Sequence, residues 1–129
     1  MYRERKWKAV PKASRKGMKS RYGVKKVATF DGIKYDSNFE SKYAQELGFR
    51  VAAGDIREWS RQERIDLRAY GVHICFYKVD FTVVHNDDSI EYIECKGFVT
   101  DLWRFKWRLF EAMMNEEQPE AKLTVVMYR

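Results

Sequence analysis

The sequence predicts an α/β fold in which a mixed central β-sheet is flanked by helices. Short runs rich in Val, Ile, Phe and Tyr are separated by turn residues, as is typical of strands. In two other segments apolar residues recur at intervals of three or four residues, as in amphipathic helices. With 129 residues, of which 45% are hydrophobic and 16% aromatic, the chain has the apolar material for one folded domain.

The predicted elements follow one another as strand, strand, helix, strands, helix and strand, without an internal repeat. The first two strands flank Asp31-Gly32, a dipeptide typical of tight hairpin turns. A second hairpin joins two strongly apolar runs through a turn at residues 86–89. The predicted strands cover residues 27–30, 33–35, 56–67, 72–85, 90–96 and 123–127, and the helices run from 37 to about 53 and from 101 towards Pro119.

Both predicted helices have end signals and apolar faces. Ser37 is a favourable N-cap, and Glu40 three residues later fits a capping box, while Gly54 closes this helix. The second helix is apolar on two sides, which fits either a core between two layers or a dimer interface on one side. Its two stripes are Leu102, Phe105, Leu109 and Met113, and Trp103, Trp107, Phe110 and Met114.

The positive charge is concentrated near the N-terminus. Residues 1–26 hold eleven Lys or Arg and one acid, whereas the rest of the chain holds fourteen against eighteen acids. We therefore predict a basic, flexible arm over residues 1–21 and a folded domain over residues 22–129. Such an arm suits nucleic acid, because neutralising phosphates releases counterions; the alternative is a solubilising tail. Without a run of roughly 18 apolar residues or a secretory signal, we expect a cytoplasmic protein with no membrane contact.

Three charged residues of the second hairpin form a pattern typical of metal-dependent phosphodiester hydrolysis. Glu94 and Lys96 share one face of their strand, because side chains alternate. Asp80 lies directly opposite Glu94 if the hairpin loop has an odd number of residues, as with 86–88, or contains a bulge. Two such carboxylates suit a hard cation, and Lys96 could stabilise charge on a phosphate.

The same register makes a prediction about the opposite face of the sheet. Strict alternation places Val79, Phe81 and Val83 together on the buried side, with Cys95 opposite Val79. Cys75 then lies too far along the strand to form a disulfide with Cys95. We expect both cysteines to be reduced core residues, as is usual inside cells.

Each part of this pattern also has an explanation without function. Glu and Lys alternate on many solvated sheet faces, and helix capping alone accounts for Glu40. A metal site is favoured because Asp80 and Glu94 follow markedly apolar runs, where uncompensated acids are costly. If the first predicted helix packs beside the hairpin, Glu40 can point at the same cation.

The order of these residues resembles the PD-(D/E)XK nuclease superfamily, which has the restriction-endonuclease-like fold. The likeness rests on Glu40 in the first helix, then Asp80, then Glu94-Cys95-Lys96 ahead of the second helix. Val79 stands where many members have proline. A finer likeness is to small phage and prophage nucleases of the Holliday junction resolvase type. The segments that carry it are Tyr22–Lys26, Asp31–Ser37 and Lys96–Phe98.

This resemblance implies a Mg²⁺-dependent endodeoxyribonuclease of bacterial or phage recombination, with one or two ions bound and Mn²⁺ able to substitute. Asp80, Glu94, Glu40 and the Cys95 backbone carbonyl would bind metal, and Lys96 would assist catalysis. The implied substrate is branched DNA, cut by a homodimer whose two-fold axis supplies one site for each strand. The alternatives are a nicking or repair nuclease, a nucleic-acid-binding protein without catalysis, and an interaction module without DNA affinity.

Residues expected to contact nucleic acid lie around the acids and near the N-terminus. Gln62 flanks the site, where glutamines of some superfamily members orient water or phosphate. Thr100 and Lys106 could bind a phosphate near the start of the second helix. His73 and His85 are expected to pack or to face solvent. The further nucleic-acid contacts are Lys19, Arg21, Lys25 and Lys26.

Overall fold

A computed structural model describes residues 28–30, 33–35 and 37–127. Within these ranges, six strands and two helices follow the predicted order. Neither of these helices has the length and apolar character needed to cross a membrane. The elements are β1 Ala28–Phe30, β2 Ile33–Tyr35, α1 Asn38–Ala52, β3 Glu58–Ala69, β4 Val72–Val84, β5 Ile90–Lys96, α2 Asp101–Glu117 and β6 Lys122–Met127. The predicted basic arm, residues 1–21, lies outside the described ranges.

A four-stranded mixed sheet in the order β3-β4-β5-β6 forms the centre of the domain. β3, β4 and β5 are antiparallel neighbours, whereas β6 runs parallel to β5 because α2 provides the crossover between them. β1 and β2 form a separate two-stranded antiparallel sheet in which Phe30 pairs with Ile33. The predicted α/β class, with a mixed sheet and helices beside it, is therefore confirmed.

Both helices begin at a hydroxyl side chain that accepts a hydrogen bond from the first turn. Ser37 Oγ accepts from the Glu40 backbone N–H at 3.1 Å, as the capping signal predicts. Thr100 Oγ1 accepts from the Trp103 N–H at 3.1 Å. Thr100, considered from the sequence as a phosphate contact, therefore caps α2. Beyond α1, Gly54 adopts a left-handed φ of +79°, the conformation that favours glycine at helix ends.

The two helices cover opposite faces of the sheet and build two cores, which we call the α1 core and the α2 core. β5 shows the division, because Ile93 contributes to the α1 core while its neighbour Tyr92 contributes to the α2 core. The buried residues of the α1 core are Ala44, Leu47, Ile56, Phe81, Val83, Ile93 and Cys95. Those of the α2 core are Leu67, Tyr77, Val79, Tyr92, Trp107, Phe110 and Met114.

The α2 stripe considered as a dimer interface is buried inside the protein. Trp107, Phe110 and Met114 all belong to the α2 core, and Phe110 has no exposed surface. This stripe is therefore an intramolecular packing surface, and its use as a dimer interface is ruled out. The other stripe begins at Leu102 and Phe105, which are both exposed.

Alternation along β4 changes sides at Asp80. Phe81 and Val83 pack in the α1 core, whereas Val79 packs in the α2 core, so the common face predicted for these three residues is wrong. For the same reason, Cys95 does not share a face with Val79. The change coincides with Gln62 of β3, which lies level with Asp80 and has a left-handed φ of +52°. A local irregularity of this kind reverses the faces of the residues beyond it.

Candidate functional site

β4 and β5 separate at the level of Asp80 and Glu94. β4 pairs with β3 along nearly its whole length, but its pairing with β5 ends at Phe81 and Ile93. β5 continues past that point and stays paired with β6 as far as Lys96. The next residue on β4 is Asp80 and the next on β5 is Glu94. We call the place where the strands diverge the fork, and these two acids define it.

The hairpin loop sets the register that brings the two acids together. The His85 N–H donates to the Ser89 carbonyl at 2.9 Å, which leaves residues 86–88 as a three-residue loop. Asp88 has a left-handed φ of +70°, and its N–H donates to the His85 carbonyl at 3.0 Å. A turn followed by one left-handed residue is the usual form of such a loop. Of the two alternatives that would place Asp80 opposite Glu94, a loop of odd length or a bulge, the structure has the loop of odd length.

Each acid of the fork is held by the backbone of the opposite strand. Asp80 Oδ2 accepts a hydrogen bond from the Cys95 N–H at 2.8 Å, and Glu94 Oε2 accepts from the Asp80 N–H at 3.3 Å. Glu94 is 3% exposed and Asp80 is half-buried. The two carboxylates thus lie close together between the strands, rather than on opposite sides of the sheet.

Crowded negative charge dominates the electrostatics of the fork. Burial, followed by the charges of Glu94 and Glu40, raises the pKa of Asp80 to about 7. The hydrogen bond from Cys95 and the charge of Lys96 act in the opposite direction without cancelling this rise. Burial and the charges of the same three acids also raise the pKa of the Cys95 thiol, which therefore stays protonated. A carboxyl group such as that of Asp80, whose pKa is raised by burial and by neighbouring negative charges, favours a nearby cation.

Lys96 lies beside the fork on the α2 side of the sheet. Its Nζ is 3.2 Å from Glu94 Oε1 and 5.0 Å from the centroid of the Trp103 indole. The two residues share a face of β5, as strand alternation predicts. Because the Lys96 side chain is only 23% exposed, solvent screens this ion pair less than it would a surface pair.

The donor set of the fork suits a magnesium site in which solvent and substrate supply further ligands. Within the described residues, no three His, Cys, Asp or Glu side chains are arranged to hold one ion. Mg²⁺ is usually bound through one or two carboxylates, with waters and substrate phosphates around it. Asp80 and Glu94 provide two such carboxylates. Glu40 is near enough for its charge to raise the pKa of Asp80.

The other residues predicted to contact nucleic acid are placed in different ways. Gln62 lies level with Asp80 on β3, between two regular β3–β4 pairs. Lys106 is half-buried on α2, one helical turn after Trp103. Four further predicted contacts lie outside the described residues: Lys19, Arg21, Lys25 and Lys26.

Sequence reasoning missed Tyr77 and Trp103, which lie directly behind the fork. Trp103 Nε1 donates a hydrogen bond to Tyr77 Oη at 3.2 Å. Tyr77 also lies close to Glu94, and burial, followed by the charge of that acid, raises the pKa of Tyr77. Strict alternation assigns Tyr77 to the α1 side, so only the change of faces at Asp80 could reveal its role.

Both histidines lie away from the fork and contact carboxylates. His85 Nε2 is 2.9 Å from Glu91 Oε1 in the interior near the hairpin loop. His73 contacts Asp66 on the exposed part of the β3–β4 hairpin. The sequence predicts that both histidines pack or face solvent, but it does not predict their carboxylate partners.

Comparison with known proteins identifies one family. Residues 19–128 match a family described as proteins of unknown function, DUF1064. Because the match spans most of the chain, the protein belongs to this family. No curated protein and no solved structure matches the chain.

Proposed function

We propose that this member of the DUF1064 family is a divalent-metal-dependent endonuclease that hydrolyses phosphodiester bonds of DNA. The observation that carries the proposal is the fork. Asp80 and Glu94 stand on adjacent strands, each hydrogen-bonded to the backbone of the other strand, with the Lys96 amine 3.2 Å from Glu94. Two acids and one amine in this arrangement match the chemistry that phosphodiester hydrolysis needs.

The electrostatic cost of the fork argues for a function. Burial, followed by repulsion from the neighbouring carboxylate of Glu94, raises the pKa of Asp80 to about 7. The positive charge of Lys96 offsets only part of the negative charge at the fork, because Glu40 contributes a further negative charge. A cation bound between Asp80 and Glu94 would remove this repulsion. The cluster is then explained as a binding site rather than as a stabilising feature of the fold.

Asp80 and Glu94 would hold Mg²⁺ or Mn²⁺, with Glu40 and the Cys95 backbone carbonyl as further predicted ligands. A bound cation supplies a water of lowered pKa and offsets charge on the phosphate. Lys96 would present its ammonium to the same phosphate and stabilise the charge that develops as the bond is cut. Its contact with the Trp103 ring orients the amine without neutralising it.

The finer proposal is a restriction-endonuclease-like fold that cuts branched DNA as a homodimer in a bacterial or phage-infected cytoplasm. It is supported by the mixed sheet with its two acids on a central hairpin, by the order of Glu40, Asp80, Glu94 and Lys96, and by the basic first 26 residues. In a symmetric dimer, each fork would cut one strand of a junction.

Cleavage of a four-way junction, a flap and a linear duplex at equal concentration tests the proposal. We expect cutting with Mg²⁺ or Mn²⁺ that stops when EDTA is added. Asp80→Ala should abolish cleavage while DNA binding, followed by gel shift, is largely kept. Asp66→Ala is the matched control. Asp66 is an acid of β3, the strand that pairs with β4, but its side chain contacts His73 and not the fork.

Two outcomes would change the proposal. Equal cutting of all three substrates would remove the preference for branched DNA and favour a nicking or repair nuclease. Salt-sensitive binding without cleavage in any divalent metal would favour a nucleic-acid-binding protein. The concentration of positive charge in residues 1–26 supports that second candidate.

A further inference from the structure

Tyr77 and Trp103 form a hydrogen-bonded pair that faces the fork, and we call them the aromatic support. Trp103 Nε1 donates to Tyr77 Oη at 3.2 Å. Tyr77 is 4% exposed, and burial, followed by the charge of the neighbouring Glu94, raises the pKa of its hydroxyl. Because the indole N–H already occupies an acceptor position of the hydroxyl, the single hydroxyl proton is free to be donated to the Glu94 carboxylate.

Trp103 also contacts the second charged residue at this place. Lys96 Nζ lies 5.0 Å from the centroid of the indole ring, a distance at which the ring face attracts a cation. The indole is itself fixed by Trp107, which stacks on it with centroids 5.7 Å apart. The Trp103 indole therefore acts on two charged residues. Its ring face orients the Lys96 amine, and its N–H, through Tyr77, orients the Glu94 carboxylate.

We propose that Tyr77 and Trp103 are positioning residues that hold Glu94 and Lys96 ready for the metal and the phosphate. This inference rests on the proposed metal-dependent function and adds the residues that fix its geometry. A carboxylate aligned before a cation arrives loses less freedom on binding, and partners behind metal ligands commonly act in this way. Core packing accounts for the two rings, but not for their polar groups being directed at the fork.

The test is calorimetric titration of the full-length protein with MnCl₂ in the absence of DNA. Tyr77→Phe removes the hydroxyl and should raise the Kd for Mn²⁺ about tenfold, the usual effect of losing a partner behind a metal ligand. Trp103→Phe should raise it less, because the hydroxyl remains but loses its orienting N–H. In cleavage assays, Tyr77→Phe should raise the KM for Mg²⁺ more than it lowers kcat.

Tyr92→Phe is the matched control. Tyr92 is also 4% exposed, and its ring lies 5.4 Å from that of Phe110, the same separation as for Tyr77. Its hydroxyl, however, donates to Gln118 at 3.2 Å, away from the fork. This variant therefore loses a buried hydroxyl of the same kind, and its Kd for Mn²⁺ should match that of the wild type.

The possible outcomes separate this inference from the proposed function. Equal Kd values for Tyr77→Phe and Tyr92→Phe would overturn the inference and leave the metal site standing. Absence of Mn²⁺ binding by the wild type, or binding that Asp80→Ala does not affect, would overturn both. If Tyr77→Phe fails to fold, Trp103→Phe provides the same comparison. When both fold, the double variant should bind Mn²⁺ no more weakly than Tyr77→Phe, and an additive loss would contradict a relay through Tyr77.

Discussion

Replacing Asp80 by Asn should stabilise the metal-free protein while it abolishes cleavage. In the unfolded chain the carboxyl has a pKa of 3.8, whereas burial and the charges of Glu94 and Glu40 raise it to about 7 in the fold. Between these values the folded state holds a proton that the unfolded state has lost. Wild-type stability therefore falls as pH rises from about 4 to about 7, and stays low above that range.

The size of the effect follows from this difference in pKa. A pKa difference of roughly three, at about 1.4 kcal/mol for each tenfold change in proton affinity, corresponds to about 4 kcal/mol at pH 8. Because Asp80 is half-buried, solvent screening reduces the expected gain, and we expect about 2–4 kcal/mol for Asn at pH 8. The Asn carbonyl can still accept the hydrogen bond from Cys95, and its amide can donate to Glu94. For a domain of this size the melting temperature should rise by about 10 °C.

Thermal melts in EDTA at pH 5 and pH 8 provide the assay. The gap between Asp80→Asn and the wild type should be large at pH 8 and small at pH 5, where folded wild type keeps the proton. Asp55→Asn, on the exposed turn after α1, controls for the loss of one negative charge. Added Mg²⁺ should raise the wild-type melting temperature but not that of Asp80→Asn. An unchanged or lower melting temperature for Asp80→Asn at pH 8 would refute the crowding of charge at the fork.

Three further changes test other parts of the structure. Lys96→Met should slow single-turnover cleavage by about 10²–10³-fold, whereas Mn²⁺ binding measured without DNA should be kept. Loss of Mn²⁺ binding in this variant would contradict a catalytic role for Lys96. Phe110→Ala should cost about 3–5 kcal/mol in urea denaturation, because Phe110 is fully buried in the α2 core. Burial acts to raise the pKa of Glu91, but hydrogen bonds from Thr124 and His85 lower it below its usual range. Thr124→Val should therefore cost about 1–2 kcal/mol at pH 7, and the cost should shrink as the pH falls through the lowered pKa of Glu91. A cost that does not change with acidification would contradict this account.

Much of the hairpin that carries the acids follows from local sequence signals. The turn residues at 86–89 mark the position of the loop, and apolar runs on both sides of it form β4 and β5. Ser37 caps α1 as expected, because the capping signal involves only neighbours in the chain. The burial of α2 could not be decided in this way. Its two apolar stripes are equivalent by periodicity, and only contact with the sheet selects the one that contains Phe110.

The change of faces at Asp80 left no signal in the sequence. A left-handed φ is favoured by glycine and tolerated by asparagine, but Gln62 is neither. Its conformation depends on the tertiary structure around the fork. For this reason the sequence places Val79 on the wrong face, and it gives no sign that Tyr77 lies beside Glu94.

The same irregularity explains how groups from both faces of a sheet can meet at one point. Alternation along β5 directs Glu94 to the α2 face, where Lys96 pairs with it and its charge raises the pKa of the buried Tyr77. Glu40, in contrast, belongs to the helix on the other face. In a regular sheet the paired backbones would separate these groups. At the fork, β4 and β5 no longer pair, and Asp80 interacts with the charges of both Glu94 and Glu40. The divergence of the two strands is therefore what makes a site from residues that alternation alone would keep apart.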